Sequence, residues 1–173
     1  RKLFSIGMRV SETQLDPSYY DLLASEARLT SFIAIAKGDV PVSHWFHLSR
    51  NLVNVGQGTA LVSWSGSMFE YLMPCLVMRS PEGSLLDETC RRVIARQIEY
   101  GSEKNVPWGI SESAYNKRDI NLTYQYSNFG LPDLGLKRGL GADLVIAPYA
   151  SLLAALYEPA QAAGNLRRLQ ERG

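Results

Sequence analysis

No other stretch limits the fold of this chain as sharply as LDPSYYDLLASEARLTSFIAIAKGD, residues 15–39. Asp16 has the side chain of an N-cap, Pro17 fits a first helical position, and Gly38 fits a C-terminal stop. The spacing therefore predicts one helix from Asp16 to Gly38. At 100° per residue Leu22, Leu29 and Ile33 share one face, with Glu26 among them, while Phe32, Ile35 and Ala36 cover the other sides. A helix that is apolar all round must be walled by other elements, so it reads as an inner helix of a larger α-helical body.

The remaining pattern extends that reading. PVSHWFHLSRNLV reads as a shorter helix, and NVGQGTALVSWSGS as a loop running into an extended piece. SMFEYLMPCLVMRS reads as helical with a break near Pro74, because proline lacks the N–H that a helix interior needs. SLLDETCRRVIARQIEYG is amphipathic, with a start at Ser84/Asp87 and Gly101 placed as a stop. Between 102 and 143 the helical period vanishes and Gly, Asn, Ser and Tyr take over, the texture of a long functional loop or hairpin region. Helical pattern returns in PYASLLAALYEP and PAQAAGNLRRLQERG. Long helices alternating with aromatic and glycine-rich loops predict a mainly α fold, of which the barrel of helical hairpins is one type.

Charge removes several functions. Eighteen Lys and Arg against seventeen Asp and Glu leave a net charge of +1. Such a balance supplies no field for collecting nucleic acid or an anionic membrane. The longest apolar runs, SFIAIA and YLMPCLVM, are too short to span a bilayer, so no membrane insertion is expected of this segment. Cys75 and Cys90 have no CxxC spacing and read as buried thiols. His44 and His47 are three apart but have no acidic or thiol partner nearby in sequence, so they read as packing residues and no metal or organic cofactor is expected.

Three carboxylates sit where carboxylates are costly. Glu26 lies on the apolar helix face, Glu70 inside MFEYLMP, and Glu112 in WGISESAYN. An unpaired carboxyl in apolar surroundings has its pKa raised, which suits a general acid. Each also has a structural reading. Glu26 could pair with an arginine of a neighbouring helix, since Arg28 points another way; Glu70 could cap or bridge a loop; Glu112 could be an exposed hairpin charge. Around them Trp64, Trp108, Tyr115, Tyr124 and Tyr126 interleave with Asn116, Asn121, Gln125 and Asn128. Ring faces beside amides suit the C–H faces and hydroxyl edges of sugars, and equally suit a core with turns. SWSGS lacks the first glycine of a nucleophile elbow, and GLKRGLGADL has neither Walker nor dinucleotide spacing, although Lys137 and Arg138 could touch a ligand.

The blocks LDPSYYDLLASEARLTSFIAIAKGDVP, HWFHLSR, LVSWSGSMFEYLMP, LLDETC, RQIEYG, VPWGISESAYN, YQYSNFGLPDLGLKRGL and DLVIAPYAS together resemble the glycoamylase-like middle region of the bacterial cyclic β-1,2-glucan synthases. The resemblance covers nearly all of residues 1–173. It implies a single partial domain of the (α/α)6 barrel type, with irregular or short β loops at the cleft, cut short at its C-terminal side. It further implies a large inner-membrane parent, with this segment a soluble domain on the cytoplasmic side and the parent's remaining domains as its partners. The implied reaction is anomer-retaining transglycosylation of linear β-1,2-glucan to a cyclic product, without a cofactor. By motif position Glu26 is the nucleophile and Glu112 the acid/base, with Glu70 in reserve for either role. Trp64, Trp108, Tyr115, Asn116, Tyr124 and Tyr126 are the expected sugar-binding residues. A β-glucan hydrolase of the same fold and a non-catalytic glycan-binding segment are the alternatives. Retaining chemistry places its two carboxyls about 5–5.5 Å apart.

Overall fold

A computed structural model describes residues 2–172. Among them five α-helices alternate with three separate two-stranded antiparallel sheets. The helices are α1 (Arg28–Ala36), α2 (Met68–Leu72), α3 (Leu85–Glu103), α4 (Pro148–Ala154) and α5 (Pro159–Gln170). The hairpins are β1–β2 (Met8–Arg9 with Gln14–Leu15), β3–β4 (Leu52–Val55 with Gly58–Leu61) and β5–β6 (Ser113–Arg118 with Tyr124–Ser127). Five helices and three small sheets are not a ring of helical hairpins, so the (α/α)6 barrel expected from the resemblance is overturned.

The organising element is α3. Its nineteen residues are capped by Ser84, whose hydroxyl accepts from the Asp87 N–H at 3.3 Å. Cys90, Val93, Ile94, Gln97 and Gly101 are buried along it, the i, i+3, i+4 recurrence of an inward stripe. That stripe packs on β4 and α2; α2 in turn packs on α4, and α4 on α5. Tyr71, Leu72, Leu131 and Leu134 close the centre. Gly101 ends no helix, since α3 runs two residues past it. Its lack of a side chain admits Trp108, whose Cβ would stand 2.9 Å from a Cβ at Gly101.

The long first helix is the other correction. Only Arg28–Ala36 is helical; residues 16–27 are irregular. Asp16 does not cap a helix but accepts from the Ser18 N–H at 2.8 Å, closing a local turn. The backbone of 21–23 is engaged elsewhere, with Leu23 N–H donating to the Ser49 carbonyl and Ser49 N–H to the Asp21 carbonyl. Gly38 does end the helix, at φ +78°, with Asp39 N–H reaching back to the Ala34 carbonyl. The helix buries Arg28, Ser31 and Ala34, while Phe32 and Ile33 are exposed, so it is not walled on every side. The second expected helix is a 3₁₀ run, Val42–His47, in which the buried His44 ring packs on Phe4 and shares a 3.0 Å hydrogen bond with Ser31 Oγ.

The break near Pro74 is as expected: α2 stops at Leu72 and a 3₁₀ turn, Met73–Leu76, follows. Pro74 has no N–H to offer the Glu70 carbonyl four residues back. Arg28 takes its place, donating to the Glu70 carbonyl at 2.9 Å and the Tyr71 carbonyl at 2.6 Å. A fully buried guanidinium thus caps the end of α2.

Candidate functional site

Glu26, Glu70 and Glu112 meet at one cavity of about 530 Å³, with Trp64, Tyr20 and Asp21 among its walls. Three segments deliver the three acids, and each segment is fixed differently.

Glu112 is positioned by its backbone. Two buried amides clamp the stretch before it. Gln97 on α3 accepts from Ile110 N–H and donates to the Ile110 carbonyl, both at 2.9 Å. Asn165 on α5 does the same for Trp108, at 3.1 and 2.7 Å. Gly109 between them has φ +118°, a conformation that disfavours any side chain. Ser111 Oγ then accepts from Phe69 N–H at 3.0 Å and lies 2.9 Å from the Tyr149 hydroxyl, which donates to the Glu112 carbonyl at 2.8 Å. The segment is held until residue 112, where β5 is about to begin and the side chain emerges half-buried into the cavity.

Its carboxyl is pushed above the ordinary glutamate range. Burial is the main cause, and the charges of Glu26 and Glu70 add to it; a hydrogen bond from the Tyr126 hydroxyl acts in the opposite direction. The Tyr126 hydroxyl is itself pushed up, by burial first and by Glu112 next.

Glu26 precedes α1 in a turn where Ser25 Oγ accepts from Ala27 N–H at 3.1 Å and lies 3.1 Å from Glu26 Oε2, to which it donates. It is half-buried and borders the cavity. It is not on an inner helix, as the sequence pattern predicted, but in the irregular stretch that replaces the helix's first half.

Glu70 is held by hydrogen bonds to its own side chain. It is the third residue of α2 and closes a capping box with Ser67. Its carboxylate also accepts from Ser63 Oγ at 2.9 Å, Trp64 N–H at 3.1 Å, Ser65 N–H at 3.0 Å, Ser65 Oγ at 2.7 Å and Ser67 N–H at 3.0 Å. SWSGS is therefore a cage of donors around one carboxylate. The cage is braced from outside: Gly66 has φ +71°, and a Cβ there would lie 2.5 Å from the Leu131 carbonyl oxygen. Neither oxygen of Glu70 is left to attack a sugar. Its geometry is that of the cap and loop bridge, and it holds Trp64, more than half exposed, at the cavity wall.

The expected sugar-binding residues divide. Trp64 lines the cavity and Tyr126 bonds to Glu112. Trp108 does not serve there: it is buried in the core and both its backbone groups belong to Asn165. Tyr115 packs edge-on against Phe129 at 5.0 Å, Asn116 is exposed on β5, and Tyr124 accepts from Arg118 at 2.5 Å. These three lie outside the cavity lining. Lys137 donates to the Asn128 carbonyl at 2.9 Å and to its side-chain oxygen, and Asn128 lines the cavity, so Lys137 acts on the site at one remove. Tyr20, Asp21 and Ser25 border the site unforeseen, because the helical reading of 16–38 gave them no cleft. The signal that could have identified Glu70 was Ser67-Met-Phe-Glu70, the S-x-x-E of a capping box.

Among the described residues no helix is long and apolar enough to cross a membrane. Residues 18–173 match the Glycoamylase family model, described as "Putative glucoamylase". Over all its 173 residues the chain is 60% identical to the Cyclic beta-(1,2)-glucan synthase NdvB of Rhizobium meliloti (strain 1021), and it spans 6% of that protein's length.

Proposed function

Because this chain belongs to the glycoamylase family, we propose that its cavity performs anomer-retaining transglycosylation on β-1,2-glucan, closing a linear chain into a ring. One observation carries the reading. Glu26 and Glu112 reach a single cavity from different segments, close enough for the charge of Glu26 to help keep Glu112 protonated. Two carboxyls on one sugar-sized cavity, one of them raised, are the minimum for a nucleophile and an acid/base.

In the first half-reaction a Glu26 oxygen attacks the anomeric carbon. The glycosidic C–O bond breaks, and Glu112 gives its proton to the leaving oxygen. In the second, the 2-hydroxyl at the chain's own non-reducing end attacks that carbon, Glu112 takes back the hydroxyl proton, and the bond to Glu26 breaks. Trp64 offers a ring face to a sugar at the wall. The rest of the polypeptide would supply the linear glucan and remove the ring.

The test is product analysis. The full chain, incubated with linear β-1,2-glucan, is expected to yield rings one water lighter than linear chains of equal length. Release of shorter linear chains alone would make it a hydrolase. No turnover by a folded protein that binds the glucan would make the cavity a binding site.

A further inference from the structure

The backbone carbonyls of Ser25, Glu70 and Tyr71 take one side of the Arg28 guanidinium; its other side meets sulfur. Arg28 Nη2 lies 3.8 Å from Cys75 Sγ, and Arg28 Nε is a buried nitrogen without a hydrogen-bond partner among the described residues. Cys75 lies in the 3₁₀ turn after α2 and Cys90 on α3, and the two sulfurs are 4.0 Å apart. Tyr157 Oη is 3.6 Å from Cys75 Sγ and Ser80 Oγ is 3.9 Å from it. Cys90 Sγ is buried and lies 3.6 Å from the Tyr71 carbonyl oxygen. Cys75 is half-buried and borders a second cavity of about 590 Å³ with Ser80, Arg91 and Tyr157, distinct from the one holding the three acids.

This is an asymmetric pair. One sulfur faces a cavity and is surrounded by donors, including a cation; the other is sealed behind it at contact distance. We propose that Cys75 and Cys90 form a peroxide-oxidisable dithiol, with Cys75 the sulfur attacked first and Cys90 the one that resolves it. The Cys75 thiolate attacks a small hydroperoxide, forming an S–O bond as the O–O bond breaks and water or alcohol leaves after protonation. The Cys90 sulfur then attacks Cys75, forming the S–S bond and breaking S–O, and its proton leaves with the hydroxyl as water. A thiol reductant reverses the change. The neighbours agree with this division: a hydrogen bond from Cys90, then Tyr157, Arg28 and Ser80, holds the Cys75 thiol below the usual range, while the Cys75 contact and burial push Cys90 up.

The proposal is independent of the sugar chemistry, and its test does not use activity. The full chain is treated with hydrogen peroxide, its remaining thiols are blocked with N-ethylmaleimide, and an unreduced digest is analysed by mass spectrometry. A peptide joining Cys75 to Cys90, two hydrogens lighter than the separate thiols and lost on dithiothreitol treatment, is expected. With C90S, dimedone is expected to trap a sulfenic acid on Cys75. In the unmutated protein, where no variant can fail to fold, iodoacetamide should alkylate Cys75 at least about tenfold faster than Cys90. Two fully blocked thiols after peroxide, no dimedone adduct on Cys75 in folded C90S, or equal alkylation rates would each overturn it.

Discussion

Glu70 and Glu112 border the same cavity, yet the fold secures them in opposite ways. Around Glu70 the side chain is what is fixed. Three serine hydroxyls and three backbone N–H groups converge on its two oxygens, and the loop 63–67 is shaped by that convergence. Around Glu112 the backbone is what is fixed. Gln97, Asn165, Tyr149 and Gly109 hold the chain up to its carbonyl, and the carboxyl itself meets the Tyr126 hydroxyl and two like charges. A carboxylate whose lone pairs are committed builds structure. A carboxyl set on a rigid backbone, with one hydroxyl beside it in place of a cage, is placed for chemistry.

That contrast is sharpest when both side chains are changed alike. E112Q is expected to lower the rate on linear β-1,2-glucan by about 10²–10⁴-fold, the usual range for a lost general acid. Its stability should move the other way. The raised Glu112 carboxyl binds its proton more tightly folded than unfolded, so its favourable contribution is complete below the unfolded value. It is lost as pH rises through the higher folded one. Above that value the ionised carboxylate is a liability, and E112Q should then melt slightly higher than the parent protein, with no advantage near pH 3. The effect is small because the group is only half-buried. Thermal melts at both pH values, beside product assays, check it, and full activity in E112Q would end the assignment.

E70Q should do the reverse. An amide turns two N–H donors toward a cage already made of donors, leaving Ser65 or Ser67 N–H unsatisfied in a buried loop. A loss of about 2–4 kcal/mol in urea unfolding is expected. An unchanged urea midpoint would erase the distinction between the two acids. Next in size is Q97L, which leaves the Ile110 N–H unpaired in the core and takes one of two donors from its carbonyl, the other being Met68 N–H, at about 1–3 kcal/mol. Hydrogen exchange at Ile110 should accelerate, while the exposed turn of β5–β6 should be unaffected.

How much of this could be read from the chain depends on the range over which each contact acts. Ser84 before Asp87, Pro148 and Pro159 at helix starts, and Pro74 as a break are local, and α3, α4, α5 and the α2 break are where those residues put them. The Asp16–Gly38 helix failed because its first half is held by Ser49, a pairing that no local window contains. The sequence pattern says of Arg28 only that it points away from Glu26; its role follows from the N–H that Pro74 lacks, forty-six residues later. The barrel failed with that helix, since an inner helix apolar all round was its main local support. Of the site, the three acids and Trp64 were legible as residues out of place. Their division of labour was not, since the difference between Glu70 and Glu112 lies in hydrogen-bond partners and not in residue type. Trp108 was misread for the opposite reason: a tryptophan beside a glycine suits a cleft and a core equally, and only the Gly101 and Asn165 contacts decide for the core.

The smallest expected effect probes the one side chain that tunes Glu112 from outside the clamp. Tyr126 stands on β6, across the hairpin from Ala114, and its hydroxyl donates to the Glu112 carboxylate. That bond favours the ionised form, so it opposes burial and the two neighbouring acids. Y126F removes it and lets the Glu112 carboxyl rise further. In the proposed mechanism protonated Glu112 is the working form of the acid, so the alkaline limb of the pH–rate profile should move to higher pH. One hydrogen bond at a half-exposed site limits the move to less than about one pH unit. The maximal rate should change by no more than a few-fold, because the Glu112 backbone is still held by Ile110, Ser111 and Tyr149. A shift of the limb to lower pH would mean that Tyr126 stabilises the neutral acid instead. The same profile recorded for Q97L separates tuning from placement: a loosened clamp should depress the whole curve, whereas loss of the Tyr126 hydroxyl should slide one side of it.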